Sequence, residues 1–520
     1  MSKRKVVGID LGTTFSAIAH IDEYGKPQII PNAESERTTP SVILFEDSNV
    51  IVGSTAKALA VAEPEKIVEF VKREMGKPRE EFNREVGAIK YSADELSAVI
   101  LKKMKNDAEK YLAVTVTDAV ITVPAYFNDA ERNATMNAGK IAGLNVLQVI
   151  NEPTAAALAY GINKLGKDQT VFVFDLGGGT FDVTIMKIDG EQIRMVATNG
   201  DHRLGGKDWD DKIINYVAEE FDKTHGENPL LDLQAYQDLQ SRSIAAKIQL
   251  TNRSKTTIVH SHNGKSVKVD LSLDQFNQMC QDLVEKCHIL CDIVLMEAKM
   301  TWKDIDTVLL VGGMTRCPMV RNMVRESSGK EPSEEVNPDE AVALGAAVQS
   351  MLCHIKESVD TGSNEVAPET IKHFTGSSGG LIQVTNITSH TLGIVLWNDV
   401  SHEEYVFPMI AKMTSVPCEI KNTFGTASAN MKRVVVKVVE GESTVPEECT
   451  KLGNCEIELP EYLPKATPVE VTYRYNNNQI LEVTVKAQDK IAHAEIHRSG
   501  GLNEKEVGKA REHLTLLNVA

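Results

Sequence analysis

The sequence lacks the long apolar run that a membrane span requires. No stretch of about 18 apolar residues occurs, and the basic start at residues 1–5 is followed by residues 6–10, which are too few and too polar for the apolar part of a signal peptide. It also lacks an excess of basic charge: the formal net charge is −17, which argues against nucleic acid as the main partner because phosphate backbones attract Lys and Arg. We therefore expect a cytoplasmic protein whose partners are neither membranes nor nucleic acids.

The cysteines contain no Cys-x-x-Cys pair. Cys280, Cys287 and Cys291 are close enough in sequence to suggest a metal or redox site. They alternate with apolar residues at steps of three and four, however, which is typical of the buried face of an amphipathic helix. We therefore predict that these three thiols pack in a core.

Two glycine-rich turns carry the clearest chemical signal. Residues 8–16 and 174–184 each place an aspartate at the end of an apolar strand and follow it with glycine and threonine; Asp10 and Asp175 lie 165 residues apart (175 − 10). Glycine lets backbone N–H groups approach phosphate oxygens, threonine hydroxyls donate further hydrogen bonds, and a nearby carboxylate can hold a divalent cation through its water shell. One such turn alone is as often an ordinary β-turn. Its repetition predicts a nucleotide held between two related lobes, with a metal in between.

Neither turn matches the two commonest phosphate-binding motifs. The Gly-x-x-x-x-Gly-Lys-Ser/Thr spacing of a P-loop is missing, and neither turn fits a dinucleotide-binding Gly-x-Gly-x-x-Gly between a strand and a helix. The repeated turns instead resemble the duplicated ATPase plan that actin, sugar kinases and heat-shock chaperones share.

The periodicity of the chain divides it into four parts, consistent with the three or four domain-sized units that 520 residues allow. Residues 1–355 alternate apolar strands with amphipathic helices, as mixed α/β layers do. Residues 356–387 are predicted to be a polar tether, with a flexible glycine- and serine-rich stretch at 376–380, followed by a linker at 381–387 that is apolar enough to dock in a groove. Residues 388–498 alternate with period two, which predicts an all-β module. In residues 499–520, Asn503 with Glu506 predicts a capping-box start for one helix that reaches the C-terminus.

Five motifs in the first part occur in the order of a known family: residues 123–129, 151–157, 174–184, 312–316 and 337–341. Through these five motifs the chain resembles the heat shock protein 70 family (DnaK-type). The resemblance covers most of residues 5–355 and is weaker over residues 381–500. The resemblance implies an α/β actin-like ATPase domain with two duplicated lobes around a nucleotide cleft. A β-sandwich that binds peptides and a short C-terminal helix would follow.

The resemblance also implies ATP or ADP as the ligand, Mg²⁺ as the metal, and a role for each matching residue. Asp10 and Asp182 would hold water around Mg²⁺, and the catalytic residues would be Lys72, Glu152, Asp175 and Thr180. The implied nucleotide-binding residues are Gly12, Thr13, Thr14, Gly177, Gly178, Gly179, Gly205, Gly206, Lys247, Thr251, Gly312, Gly313, Arg316 and Asp339.

Two departures on the purine side point to weaker ATP binding. Ile244 stands where the family usually has a glutamate that contacts the ribose, and Met314 replaces a small or polar residue. Loss of a carboxylate that hydrogen-bonds a hydroxyl costs about 1–3 kcal/mol if its partner stays buried. We therefore predict a weakened affinity for ATP that is not abolished.

The relay between the two domains matches the family only in part. Pro124 and Arg132 match its relay positions. In the linker, residues 381–387, polar residues replace the family's leucines and aspartate at Gln383, Thr385 and Asn386. Coupling between ATP and peptide binding is therefore a hypothesis at this stage.

The β-module matches the family's peptide groove at six positions: Ile394, Phe424, Ala427, Val434, Val436 and Ile480. Ala427 would arch over the peptide, and extended peptides bind such grooves through main-chain hydrogen bonds and an apolar pocket. The alternative is that these are ordinary core residues of a sandwich. The family's lid of roughly a hundred residues is here reduced to the one helix after Gly501, so we expect fast peptide exchange. About twenty residues of the family's first lobe are also missing between Phe82 and Tyr91.

The leading hypothesis is an ATP-driven chaperone that binds unfolded or extended peptide segments, with a J-domain co-chaperone and a nucleotide exchange factor as possible partners. A nucleotide-gated scaffold that holds one dedicated partner and turns over little ATP is the alternative. A small-molecule kinase is a distant third hypothesis, because the β-module has no role there.

Overall fold

The computed structural model describes residues 5–46, 49–82, 84–86, 89–162, 164, 167–363, 366–376, 379–495 and 502–520. The first lobe is built around the strand that leads into the first glycine-rich turn. Its elements are β1 (Lys5–Asp10), β2 (Phe15–Ile21), β3 (Pro27–Ile30), β4 (Thr39–Pro40), β5 (Ile43–Glu46), β6 (Asn49–Val52), α1 (Ser54–Leu59), β7 (Ile67–Val68), β8 (Arg84–Val86), β9 (Ile89–Tyr91), α2 (Ala93–Leu112), β10 (Val116–Val123), α3 (Asp129–Ile141), β11 (Asn145–Asn151) and α4 (Glu152–Gly161).

The second lobe is built around the strand that leads into the second turn. Its elements, together with the helices that lead out of it, are β12 (Gln169–Leu176), β13 (Phe181–Asp189), β14 (Gln192–Asp201), α5 (Gly206–His225), α6 (Leu233–Leu250), β15 (Lys255–His262), β16 (Lys265–Ser272), α7 (Leu273–Met279), α8 (Gln281–Glu297), β17 (Thr307–Val311), α9 (Pro318–Ser328), α10 (Ala341–Thr361) and α11 (Pro368–His373).

The two lobes repeat one sheet plan, which confirms the predicted duplication. In the first, β1 pairs antiparallel with β2 and parallel with β10, in the order β11-β10-β1-β2-β3. In the second, β12 pairs antiparallel with β13 and parallel with β17, in the order β17-β12-β13-β14. Each glycine-rich turn is therefore the hairpin turn between the central strand of a sheet and its antiparallel neighbour.

The buried cysteines belong to the core, as predicted. Cys287 and Cys291 lie on α8, Cys280 precedes this helix, and all three are buried in the apolar cluster of the second lobe. Burial raises the pKa of the Cys291 thiol well above its usual value. None of the helices in the described ranges is long and apolar enough to span a bilayer.

The predicted polar tether contains helical segments that its polar pattern did not indicate. Helix α10 continues past residue 355 to Thr361, because Ile355 and Ser358 stay buried on one face of it. After it, α11 ends next to Phe374, which is fully buried, and Ile382 is also buried. Widely spaced apolar residues therefore pack a segment that is polar on average. Residues 364–365 and 377–378 of this segment lie outside the described ranges, and the domain limits themselves remain predictions.

The β-module is a two-sheet sandwich preceded by a linker strand. The hairpin predicted around residues 476–478 is present and is formed by the strands Pro468–Tyr475 and Leu481–Ala487. The elements of the linker, sandwich and C-terminal segment are β18 (Gln383–Ile387), β19 (Leu392–Asn398), β20 (Glu403–Ile410), β21 (Ser415–Val416), β22 (Cys418–Gly425), β23 (Arg433–Glu440), β24 (Thr450–Glu458), β25 (Pro468–Tyr475), β26 (Leu481–Ala487), β27 (Lys490–Glu495), α12 (Glu504–Leu516) and β28 (Asn518–Val519). The sheets have the orders β20-β19-β23-β24 and β22-β25-β26-β27.

The C-terminal segment packs on the first lobe. Helix α12 begins with the predicted capping box at Asn503, and Ala510 and Leu514 are buried in the first-lobe core. The prediction that this helix reaches the C-terminus is wrong: it ends at Leu516, and β28 then pairs in parallel with β6. A two-residue strand leaves no periodic pattern in a sequence. The helix expected to begin a lid is thus docked on the first lobe; residues 499–501 lie outside the described ranges.

Candidate active site

The two glycine-rich turns face each other in direct contact. A Cβ atom added to Gly178 would lie 1.7 Å from Thr14 Oγ1, and one added to Gly179 would lie 2.5 Å from Thr13 Oγ1. Side chains at these positions are excluded because the opposite turn occupies the space. In the first turn, the N–H of Gly12 donates to Ser16 Oγ at 3.1 Å. The fold therefore brings the predicted phosphate-binding residues of both halves together.

A buried ion pair joins Lys72 to Glu152. Lys72 lies in a short 3₁₀ turn, Val71–Glu74, and Glu152 is the first residue of α4. The Lys72 ammonium donates to Glu152 Oε1, and the two side chains are only 5% and 8% exposed. Burial acts to lower the pKa of Lys72, but the charges of Glu152 and Asp10 outweigh it and the pKa is raised. The lysine is therefore held in its charged form.

Three aspartates surround this pair. Asp175 and Asp182 lie directly opposite each other on β12 and β13. Asp10 Oδ1 accepts a hydrogen bond from Thr122 Oγ1 at 3.2 Å, and Asp182 Oδ1 accepts one from the N–H of Tyr126 at 3.1 Å. Asp175 Oδ2 is buried and has no hydrogen-bond partner.

The aspartates hold more negative charge than the lysine can balance. Burial, followed by repulsion from Glu152, raises the pKa of Asp10 and of Asp182 to about 7. The same two causes raise the pKa of Asp175 well above its usual value. Among the described residues, no three His, Cys, Asp or Glu side chains are placed to ligate a metal directly. The cluster thus concentrates buried carboxylates around Lys72.

The residues predicted for the purine side form two groups. Lys247 Nζ contacts Asp210 Oδ1 and donates to the carbonyl of Gly206, both at 2.9 Å, and it lies on α6 one turn before Thr251. The replaced residue Met314 is buried against the same glycine, because a Cβ on Gly206 would lie 3.0 Å from Met314 Cγ.

The second group surrounds the third glycine site. Gly312 has φ of 83°, and its N–H donates to the carbonyl of Pro338 at 3.0 Å. Arg316 NH2 donates to Asp339 Oδ2 at 2.6 Å, and a Cβ on Gly313 would lie 3.5 Å from Asp339 Oδ1. Arg316 remains half exposed, so it can stack on a flat ligand from the solvent side.

The sequence patterns did not identify two further functional candidates, Arg73 and Asp208. Arg73 Nε donates to the carbonyl of Gly179 at 2.9 Å, and its guanidinium is ion-paired with Asp208. Arg73 directly follows Lys72, and Asp208 lies three residues after Gly205 at the start of α5. Neither position has a pattern of its own, because their contact depends on how the two lobes meet.

The predicted relay residue Arg132 is buried next to the catalytic candidates. Its guanidinium donates to Asn151 Oδ1 at 2.7 Å and to the carbonyls of Ala125 and Phe127. Asn151 immediately precedes Glu152, the first residue of α4, and Pro124 directly follows β10. Nearby, Asp129 is buried, and burial together with the charge of Glu440 in the sandwich raises its pKa well above its usual value. The relay positions thus lie between the cleft and the β-module.

The linker is docked as a strand. β18 pairs in parallel with β14 of the second lobe, and the N–H of Gln383 donates to the carbonyl of Glu191 at 2.9 Å. On its other side β18 pairs with β21. Thr154 Oγ1 also donates to Asn386 Oδ1 at 3.0 Å. The polar linker residues therefore still form a continuous connection between the two domains.

The six groove candidates do not share one environment. Ile394, Val436 and Ile480 are buried, while Phe424 and Val434 are partly buried against the same sandwich core. Ala427 is exposed in the turn after β22. The first three fit the alternative of core residues as well as they fit a groove.

Comparison with known families matches residues 6–516 to the family described as Hsp70 protein. The chain is 40% identical over 493 residues to the Chaperone protein DnaK of Thermotoga petrophila and to that of Thermotoga maritima, covering 93% of this chain and 78% of each relative. It is 39% identical over 496 residues to the Chaperone protein DnaK of Thermosipho melanesiensis, covering 94% of this chain and 79% of that protein. The chain therefore belongs to the Hsp70 family of ATP-dependent molecular chaperones.

Proposed function

We propose that this Hsp70 protein, an ATPase that acts as a molecular chaperone, binds and hydrolyses ATP in the cleft between its two lobes. ATP binds with its phosphates between the Gly12–Thr14 turn and the Gly177–Gly179 turn. Its adenosine lies toward Lys247 and Arg316. The observation that carries this proposal is the direct apposition of the two turns around the buried pair of Lys72 and Glu152.

In this proposal, hydrolysis relies on positioning and charge. Lys72 stays charged and meets the γ-phosphate and the attacking water, while Glu152 and Asp175 orient that water by accepting hydrogen bonds from it. Thr180 lies beside the γ-phosphate. Phosphoryl transfer needs little more than such placement and the neutralisation of charge.

A magnesium ion fits the same pocket. Burial and the nearby charge of Glu152 raise the pKa of Asp10 and of Asp182, and Asp175 Oδ2 has no hydrogen-bond partner; both observations support a bound cation. Asp10 and Asp182 would hold it through water molecules. When bound, it would neutralise charge on the β- and γ-phosphates.

The β-module binds unfolded peptide segments in this proposal, and ATP state reaches it through Pro124, Arg132 and β18. A groove at Ile394, Phe424, Ala427, Val434, Val436 and Ile480 is the proposed site. A J-domain co-chaperone and a nucleotide exchange factor are proposed partners. We also propose a cytoplasmic location, which the eight free thiols support because reducing compartments keep cysteines unpaired.

Single-turnover ATP hydrolysis tests the proposal. Lys72→Ala should lower the rate at saturating ATP by at least about a hundredfold, because it removes a charge that acts on the transition state. Lys77→Ala is the matched control, since Lys77 pairs with Glu74 at the edge of the same turn, and it should keep the wild-type rate. A Lys72→Ala protein that hydrolyses ATP at the wild-type rate would contradict the proposal.

A further inference from the structure

Arg73 spans the cleft from the turn that carries Lys72. Lys72 points to Glu152 within the cleft, whereas Arg73 reaches the second lobe. Its Nε donates to the carbonyl of Gly179 at 2.9 Å, and its NH2 and NH1 groups donate to Asp208 at 2.5 and 3.3 Å. The Arg73 and Asp208 side chains are 11% and 23% exposed, so water competes little for these bonds.

The residues before Lys72 make further contacts with the second lobe. Gln240 Nε2 on α6 donates to Glu69 Oε2 at 3.2 Å, and Lys207 Nζ lies 5.6 Å from the centre of the Phe70 ring. Residues 69–73 therefore form a strip that touches the second lobe on both sides of the catalytic lysine.

Each carbonyl oxygen from Gly177 to Gly179, in the second glycine-rich turn, accepts a hydrogen bond from a different donor. Gly177, Gly178 and Gly179 accept hydrogen bonds, each at 2.9 Å, from the N–H of Gly206, the N–H of Lys207 and the Nε of Arg73, respectively. A trans peptide is planar, so a fixed carbonyl also fixes the direction of the next residue's N–H. These three contacts therefore set the backbone from Gly178 to Thr180.

The three donors differ in which lobe supplies them. Gly206 and Lys207 begin α5, in the same lobe as the turn, and hold it whatever the distance between the lobes. Arg73 comes from the first lobe, so its bond to Gly179 forms only when the lobes approach. Asp208 reinforces the bond between Arg73 and Gly179, because it pairs with Arg73 while its Oδ2 also accepts a hydrogen bond from the N–H of Gly205 at 2.7 Å.

We propose that Arg73 is a positioning residue for ATP hydrolysis, which fixes the peptide between Gly179 and Thr180 from the opposite lobe. The geometry around the γ-phosphate is then completed only in the closed cleft. This inference rests on the proposed function, which places Thr180 beside that phosphate. It adds a residue and a coupling between lobe closure and chemistry.

The experiment compares Arg73→Met, Arg73→Lys and Asp208→Asn with Arg79→Gln, which breaks an exposed ion pair to Glu95 within the first lobe. Single-turnover hydrolysis at saturating ATP gives the chemical rate, and calorimetry gives the affinity for ADP. We expect Arg73→Met to lower the rate at least about tenfold while the ADP affinity changes less than about threefold. Arg73→Lys should fail to restore the rate, because an ammonium cannot bond to Gly179 and chelate Asp208 with the geometry of a guanidinium.

Two further results separate positioning from general stability. Asp208→Asn should lower the rate less than Arg73→Met, and the double variant should be no slower than Arg73→Met alone, because both changes break one unit. A wild-type rate in Arg73→Met, full rescue by lysine, or additive losses in the double variant would overturn the inference. If Lys72→Ala is inactive while Arg73→Met is normal, this inference fails alone. If Lys72→Ala is also fully active, the proposed function fails with it.

Discussion

At the scale of single residues, the cleft works through charges that its own fold leaves unbalanced. Lys72 is the cation at the centre of Glu152, Asp10 and Asp175, and the carboxylates keep it protonated despite burial. The lysine only partly offsets burial and the repulsion from Glu152, which together raise the pKa of Asp10 to about 7. The proposed complex of ATP with a magnesium ion would bring positive charge to these carboxylates, which a neutral ligand would not.

Gly178 tests the contact between the two turns. Gly178→Ala places a methyl group 1.7 Å from Thr14 Oγ1 and 2.7 Å from Thr14 Cβ, so the turns must separate. Overpacking of this kind costs about 1–3 kcal/mol, and we expect the ATP affinity measured by calorimetry to fall roughly 10- to 100-fold. Gly508→Ala is the control: a Cβ there meets nothing within 4 Å, and helix propensity predicts unchanged or slightly higher stability. An unchanged ATP affinity in Gly178→Ala would place the phosphates elsewhere.

Ile244 tests the purine side. It is half-buried on α6, one turn before Lys247. Ile244→Glu should tighten ATP binding about two- to tenfold, because a carboxylate there would accept a hydrogen bond from a ribose hydroxyl worth about 0.5–1.5 kcal/mol. Ile248→Glu adds the same charge at an exposed position of the same helix and should leave the affinity unchanged. The gain should vanish with 2′,3′-dideoxy-ATP; a gain that persists would show that the ribose is not the partner.

Residues next to strand ends were predictable, and residues that meet across lobes were not. Asp10 and Asp175 each lie at the end of an apolar strand, so the residue pattern itself placed them beside the two turns, whereas Glu152 was assigned through the family resemblance. Arg73 and Asp208 are 135 positions apart and have no shared pattern. Their meeting depends on the approach of two separately folded lobes, which periodicity does not encode.

At the scale of elements, the linker strand β18 links the two domains through backbone pairing. Its side chains are more polar than the family's, but strand pairing uses N–H and C=O groups that every non-proline residue has. The substitutions at Gln383 and Thr385 therefore do not prevent docking against β14. The apolar residues of the linker indicated that it could dock, but backbone pairing with β14 leaves no pattern in the side chains that would predict the strand.

Loss of one backbone donor in β18 should weaken the proposed coupling. Gln383→Pro removes the N–H that donates to the Glu191 carbonyl at 2.9 Å. We expect unfolded peptide to stimulate ATP turnover in the wild type and to have nearly no effect in this variant, with basal single-turnover rates alike. Gln383→Ala keeps the N–H and removes only an exposed side chain, so it should behave as the wild type does. If peptide stimulates ATP turnover equally in all three proteins, the pairing of β18 with β14 does not carry the coupling. If peptide does not stimulate the wild type, the coupling between peptide and ATP is itself contradicted.

At the scale of the whole molecule, both ends of the β-module are tied to the ATPase lobes. β18 joins the second-lobe sheet before the sandwich, and after it α12 and β28 pack on the first lobe. Between these points, Lys412 Nζ donates to Glu297 Oε1 at 2.6 Å, connecting the sandwich to α8. The docked arrangement is therefore held by several separate contacts, so its strength should respond to any group whose charge changes on release.

His390 is such a group, because it lies in the interface between the sandwich and the first lobe. Its ring packs edge-on against Tyr126, with centroids 4.2 Å apart, and its Nε2 lies 3.5 Å from the Tyr126 carbonyl oxygen. Burial lowers the pKa of His390 from 6.5 to about 4. The nearby charged groups partly cancel: Glu442 acts to raise this pKa, while His202 and Lys412 act to lower it.

Docking should therefore weaken in mild acid. Above pH 6.5 the His390 ring is neutral in both states and docking has its full strength. As pH falls from 6.5 toward 4, the released ring binds a proton that the docked ring excludes, which costs up to about 1.4 kcal/mol of docking free energy per pH unit.

Small-angle scattering of the ATP-loaded protein from pH 7.5 to 5 should thus show a growing radius of gyration, with far-UV circular dichroism confirming that both domains stay folded. In His390→Leu, which keeps an apolar contact with Tyr126, the radius should respond less to pH; an equal expansion in both proteins would assign the acid sensitivity to other groups.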